Sequence, residues 1–217
     1  MMTVNYDVLI TALVMFFTGA LIGWEFASNH FKKMQKRLFE QATTDTLTGL
    51  PNRLLFEDRL KQTITGLKRD KEKKATLLFV DLDGFKQVND TFGHLVGDEL
   101  LQVVAERLRT MSREVDTVAR LSGDEFAVIL VDTTTEGAVK VAEKMVGRLS
   151  RVFEIDNKEI QISASVGIVE ISHERDQTMR EADDAMYTSK RLGGNRYHIS
   201  SVAEKNPENK KELRAVK

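Results

Sequence analysis

The chain is 217 residues long, enough for one domain with its own core and a short appendage. Charged residues make up 30% and the net charge is -1, which leaves no global basic field for nucleic acid. With no cysteine, disulfides and thiolate metal sites are excluded, and two prolines in the whole chain argue against a Pro-rich linker.

The appendage comes first. Residues 8–24 (VLITALVMFFTGALIGW) carry no charge, and as a helix they extend roughly 25 Å, the short end of a membrane span. Tyr6 and Trp24 stand at its two ends, where amphipathic rings favour the lipid–water interface. No Lys or Arg precedes the stretch, unlike a signal peptide, whereas Lys32, Lys33, Lys36 and Arg37 follow it. This predicts a transmembrane anchor within residues 1–28, its C-terminal side in the cytoplasm. Phe31, Met34, Leu38 and Gln41 then recur at helical steps, predicting a linker helix over 29–44. That helix either pairs as a short parallel coiled coil or lies against the bilayer. Thr43, Thr44 and Asp45 break the pattern with side chains suited to capping the next helix.

Helical and strand patterns alternate from there. Residues 54–67 have a helical period, and 75–80 (ATLLFV) form a compact strand-like run. Residues 95–111 are helical, with Leu100, Leu101, Val104, Leu108 and Met111 on one side. Two short strands, 117–121 and 126–131, flank a hairpin turn at 122–125. A helix at 136–152, a strand at 160–169, a helix at 179–192 and a last strand at 196–199 complete the order. The charged tail, 203–217, is expected to be disordered. The order predicts a mixed sheet with helices packed on it, an α/β sandwich.

Carboxylates gather where strands end. Asp81 and Asp83 close the run ATLLFV on the same side of the strand, and Asp124 and Glu125 occupy the hairpin turn. Such a set makes an oxygen-only site for a hard cation serving phosphate chemistry; taken alone, it is equally a set of turn-forming residues. A second cluster follows: Gly84, Phe85, Lys86, Asn89, Asp90, Gly93, His94, Gly97 and Asp98. Glycine amides and a lysine suit phosphate oxygens, and an Asn with an Asp suits a guanine edge. His94 by itself reads as structural.

RLSGDEF at 120–126 resembles the signature hairpin of the GGDEF diguanylate cyclases. Alongside it, DTLTGLPNR at 45–53 is similar to the family's opening DxLTGLxNR, and FVDLDGFKQVND at 79–90 with Gly93-His94 and Gly97-Asp98 to its central motif. SASVG at 163–167 and DDAMYTSKRLGGNR at 183–196 resemble its later strand and closing helix. The resemblance implies a ferredoxin-like palm related to class III nucleotidyl cyclases, over residues 45–202. It implies condensation of two GTP molecules into cyclic di-GMP by a homodimer; the charge balance speaks against a nucleic acid partner, and the anchor and its flanks place this at the cytoplasmic face of a bacterial inner membrane. Asp81, the Leu82 carbonyl, Asp124 and Glu125 would hold Mg2+ or Mn2+, and Asp124 would help activate the attacking hydroxyl. Lys86 would steady the transition state, Asn89 and Asp98 would read guanine with His94 nearby, and Lys190 would meet the phosphates. Arg113 and Asp116 stand where the family keeps its RxxD inhibitory site, so cyclic di-GMP is expected both as product and as inhibitor.

Two positions depart from the pattern. Ser122 replaces the first signature glycine, and if that position needs a positive φ it is strained by roughly 1 kcal/mol. Gly194 stands where many members have an arginine for phosphate. The alternative function is therefore a weakly active domain serving as a cyclic di-GMP receptor at the membrane.

Overall fold

The computed structural model describes residues 6–172 and 174–200 and divides the chain into two units at the Ala42–Thr43 boundary. In the first unit a single helix, α1 (Tyr6–Thr43), runs without interruption. Trp24, Phe26, Phe31, Met34 and Leu38 are exposed along it. Most side chains of the expected anchor at 8–24 lie outside the described residues, as does the tail at 203–217. Among the described residues no helix is long and apolar enough to cross a membrane.

The second unit is a five-stranded mixed sheet of order β2-β3-β1-β6-β7. Its centre is β1 (Ala75–Asp83), buried along its length except at Asp83, as a strand covered on both faces must be. It pairs antiparallel with β3 (Glu125–Val131) and β6 (Ser163–Glu170). Outside these, β2 (Thr117–Ser122) pairs antiparallel with β3, and β7 (Arg196–Ile199) runs parallel to β6. Alternation sends Leu78, Val80 and Leu82 into one core with α3 (Phe85–Phe92), α4 (His94–Met111) and α5 (Thr135–Leu149). Leu77 and Phe79 go into a second core with α2 (Arg53–Arg69) and α6 (Arg175–Arg191). By the same alternation Asp81 and Asp83 fall on the α2–α6 face. Arg107 on α4 ties the first layer together: it donates to the carbonyls of Arg148, Arg151 and Val152 and lies 3.6 Å from the Phe153 ring centroid.

Three local expectations need correction. The glycine-containing cluster that begins at Gly84, given no secondary structure from the sequence, holds the two-turn helix α3, hidden because Gly84 (φ 85°) and Gly93 (φ 86°) bracket it as turn residues. Residues 150–160 hold a small hairpin, β4 (Phe153–Ile155) with β5 (Lys158–Ile160), whose turn puts Asp156 and Asn157 at positive φ without a glycine to announce it. The cap of α2 is Asn52, which accepts from the Leu55 amide, rather than Thr43, Thr44 or Asp45. Asp45 instead folds its own turn, accepting from the Thr48 amide and hydroxyl at 2.9 and 2.6 Å.

Candidate active site

The sheet brings the end of β1 against the start of β3, so Asp81 pairs in register with Glu125, and the Leu82 amide donates to the Asp124 carbonyl at 3.3 Å. Asp81 is 6% exposed. Burial pushes its carboxyl up to about 6; Lys190 pulls the value down, and the charges of Asp124 and Glu125 raise it again. The Lys190 ammonium, from the last turn of α6, stands 2.5 Å from Asp81 Oδ1 as an ion pair, while no hydrogen bond of good geometry reaches that buried oxygen.

Asp83 has a different task. It accepts from the Ser163 hydroxyl at 2.8 Å, the Ser165 hydroxyl at 2.8 Å and the Asn195 amide at 2.9 Å, clasping β6 and the α6–β7 turn to the end of β1. Its two oxygens are committed, so it belongs to the frame and not to a shared carboxylate site. The clasp also explains Gly194: φ is 67° there, and a Cβ would stand 2.7 Å from Asp83 Oδ2. A larger residue at this position is strained and has to displace the Asp83 carboxylate from its clasp.

The hairpin overturns the concern about Ser122. This residue ends β2, and the positive φ of the turn, 39°, falls on Gly123. The Ser122 hydroxyl is free to donate to Glu125 Oε2, toward which the Arg53 guanidinium also points from 4.0 Å. Arg120 braces the turn from behind. Its Nε donates to the Gly123 carbonyl at 2.9 Å and its Nη1 to Asp45 Oδ1 at 3.1 Å. Burial opposes ionisation of Asp45, but the bonds from Thr48 and Arg120 outweigh it and hold this carboxyl below its ordinary range.

A cavity of about 590 Å3 opens here, lined among others by Leu82, Lys86, Asp124, Lys190 and Gly194. The sequence-predicted guanine residues do not line it. Asn89 on α3 is half-buried, while His94 and Asp98 on α4 are exposed. Asn89 lies over Gly97, where an added Cβ would fall on the Asn89 amide oxygen; glycine there makes room for that side chain. A second cavity, of about 640 Å3, holds Arg113 and Asp116 together with two arginines the sequence did not single out: Arg59 on α2, far off in the chain, and Arg109 in the last turn of α4, just before Arg113. Asp116 accepts from the backbone amides of Arg113 (2.9 Å) and Val131 (3.3 Å), so it shapes the turn and does not grip the Arg113 guanidinium.

Among the described residues no three His, Asp or Glu side chains converge to hold a metal ion. Of the expected set, Asp81 is paired with Lys190 and Glu125 accepts from Ser122. The donors nevertheless fit a hard cation in kind: all are oxygens, and Asp81 Oδ1 is buried without a hydrogen bond.

Residues 42–196 match the family model described as diguanylate cyclase, GGDEF domain. The chain is 45% identical over 168 residues to the bifunctional diguanylate cyclase/cyclic di-GMP phosphodiesterase MucR of Pseudomonas aeruginosa, covering 76% of this chain and 24% of that protein. It is 38% identical over 159 residues to the diguanylate cyclase TpbB of the same species, covering 71% of this chain and 36% of that one. Among solved structures, the coiled coil and GGDEF domain of DgcB from Caulobacter crescentus in complex with c-di-GMP aligns with a TM-score of 0.77 at 27% identity, over 84% of this chain and 98% of that one. The chain spans about a quarter of the length of the first curated relatives it matches (24%, 24% and 25%).

Proposed function

The chain belongs to the GGDEF-domain family of diguanylate cyclases, and on that premise we propose that it joins two GTP molecules into cyclic di-GMP with release of two pyrophosphates. In each of two equivalent steps, the 3′-oxygen of one GTP bonds to the α-phosphorus of the other. The bond to pyrophosphate breaks, and the hydroxyl proton leaves to a nearby base. One observation carries the reading: Lys86, Asp124 and Lys190, from three separate segments, line one cavity beside the ion-paired Asp81. Two ammonium groups there are opposite in sign to a triphosphate.

Diguanylate cyclases of this family are generally dependent on a divalent metal. In this chain Asp81, the Leu82 carbonyl, Asp124 and Glu125 would hold Mg2+ or Mn2+, which when bound neutralises phosphate charge and acidifies the attacking hydroxyl. Asp124 stands ready to steady that hydroxyl as its proton departs. Lys86 stabilises charge that grows on the reacting phosphoryl group, and Lys190 binds the phosphates. Asn89 and Asp98 read the guanine edge with His94 nearby, and Gly97 keeps the Asn89 amide in place.

Each domain takes one GTP, so two copies must face each other. Residues 8–24 would anchor the chain in a bacterial inner membrane with the catalytic unit on the cytoplasmic side, a reading supported by the sequence. Cyclic di-GMP would return as an inhibitor to the cavity around Arg113. The receptor alternative rests in part on strain at Ser122, and the positive φ lies at Gly123 instead. Incubating the purified full chain with GTP and Mg2+, followed by nucleotide chromatography, tests the activity. Cyclic di-GMP in the product supports it; no turnover alongside tight cyclic di-GMP binding favours the receptor.

A further inference from the structure

We propose that the Lys190 ammonium is a built-in counter-ion for Asp81, holding the cation site neutralised until a divalent cation displaces it toward the phosphates. The proposal rests on the cation site argued above. A carboxylate as buried as Asp81 needs a positive partner, because an unpaired charge in a covered site is strongly unfavourable. Lys190 is that partner at 2.5 Å, although the same oxygen receives no hydrogen bond of good geometry. The fit is that of a charge standing in for another charge, not of a fully satisfied polar network.

The lysine can also leave. Its side chain is 37% exposed against 9% for that of Asp81, and a four-carbon stem lets the head group swing while the backbone stays fixed. That backbone is fixed, because the α6–β7 turn is clasped to Asp83 through the Asn195 amide. Lys190 lines the same cavity as Lys86, so an ammonium released from Asp81 remains where phosphates would lie. With glycine at 194, the turn itself offers the phosphates no side-chain cation. A single lysine thus serves two partners in succession, and metal loading makes it available to nucleotide.

Mn2+ binding to the purified full chain without nucleotide, followed by electron paramagnetic resonance of the free ion, tests this. Lys190→Met removes the competitor, and Mn2+ affinity should rise by about tenfold, the scale of one charge-assisted contact. Lys190→Arg keeps a cation and should remain near wild type, and Asp81→Asn should lose the site. If Lys190→Met does not fold, Lys190→Gln carries the same expectation. Unchanged or weaker Mn2+ binding in the neutral Lys190 variants, with Asp81→Asn still inactive in binding, overturns the counter-ion role alone. Wild-type Mn2+ binding by Asp81→Asn overturns the cation site and this proposal together.

Discussion

Arg120 joins Asp45 to the signature turn: one guanidinium donates to the Asp45 carboxylate at 3.1 Å and to the Gly123 carbonyl at 2.9 Å. The segment that follows α1 and the hairpin that carries Asp124 and Glu125 are therefore held by a single side chain. The Arg120 amide adds a backbone bond to the Pro51 carbonyl at 2.9 Å.

Arg120→Ala should lower kcat by tenfold or more, because the Gly123 turn loses its brace, and should reduce stability by about 1–3 kcal/mol. Arg120→Lys should recover part of the stability and little of the rate, since one ammonium cannot reproduce a planar fork aimed at two acceptors. Steady-state turnover and urea unfolding measure both. A rate in Arg120→Ala near wild type would show that the hairpin holds itself.

The carboxylate motifs were legible because each is contiguous in the chain: Asp81 ends an apolar strand, and Asp124 with Glu125 forms a turn between two strands. The succession of the five main strands along the chain followed from apolar periodicity for the same reason, while their order within the sheet did not. Contacts between distant residues were not legible. Arg120 and Asp45 are 75 positions apart, and the Asp83 partners Ser163 and Ser165 are 80 and 82 away. Nothing local marks any of them. Helix α3 was hidden by glycines that bracket it, and Ser122 was misjudged because a tetrapeptide turn does not reveal which residue takes the positive φ.

Asp81 should make stability depend on pH in metal-free protein. Its folded value, about 6, lies above the ordinary value of 3.8 for an aspartate. The fold therefore gains most from Asp81 when it is protonated, below 3.8, and that contribution disappears as pH rises through about 6. In the presence of a chelator, Asp81→Asn should be more stable than wild type at pH 7–8 by about 1–3 kcal/mol, with the difference vanishing near pH 4. Denaturant unfolding at several pH values reads this directly. An Asp81→Asn variant that is less stable at pH 8 would show that the Lys190 pair outweighs burial.

Ser122 and Gly123 should respond in opposite ways. Ser122→Gly removes a hydroxyl that donates to Glu125 but meets no backbone demand, so turnover should hold or rise. Gly123→Ala forces an L side chain to φ 39° and should destabilise the hairpin by about 1–2 kcal/mol, with a clear loss of rate. Turnover with thermal unfolding of both variants checks the pair. A large fall in Ser122→Gly would mean that the hydroxyl holds Glu125 in its working position.

Feedback should follow the arrangement of the second cavity. Arg59, Arg109 and Arg113 reach it from α2, α4 and the turn before β2, and they are not equivalent. Arg109 is already engaged by Glu106 at 2.7 Å, which neutralises part of its charge. Arg113 sits on a turn that Asp116 stiffens through the Arg113 amide and ties to the end of β3 through the Val131 amide, so its guanidinium is presented by an ordered frame. Arg113→Ala should weaken cyclic di-GMP binding by about 1.5–3 kcal/mol, the range of a charge-assisted bond. Arg59→Ala should weaken it less and Arg109→Ala least. Asp116→Ala should weaken binding as well, by loosening the turn and not by losing a contact with the nucleotide. Calorimetric titration of cyclic di-GMP gives the ranking, and initial rates with and without added cyclic di-GMP show whether inhibition follows binding. Initial turnover should stay near wild type in all four variants, because the cavity is separate from the one lined by Lys86 and Lys190. Full inhibition retained in Arg113→Ala would remove the second cavity from feedback altogether.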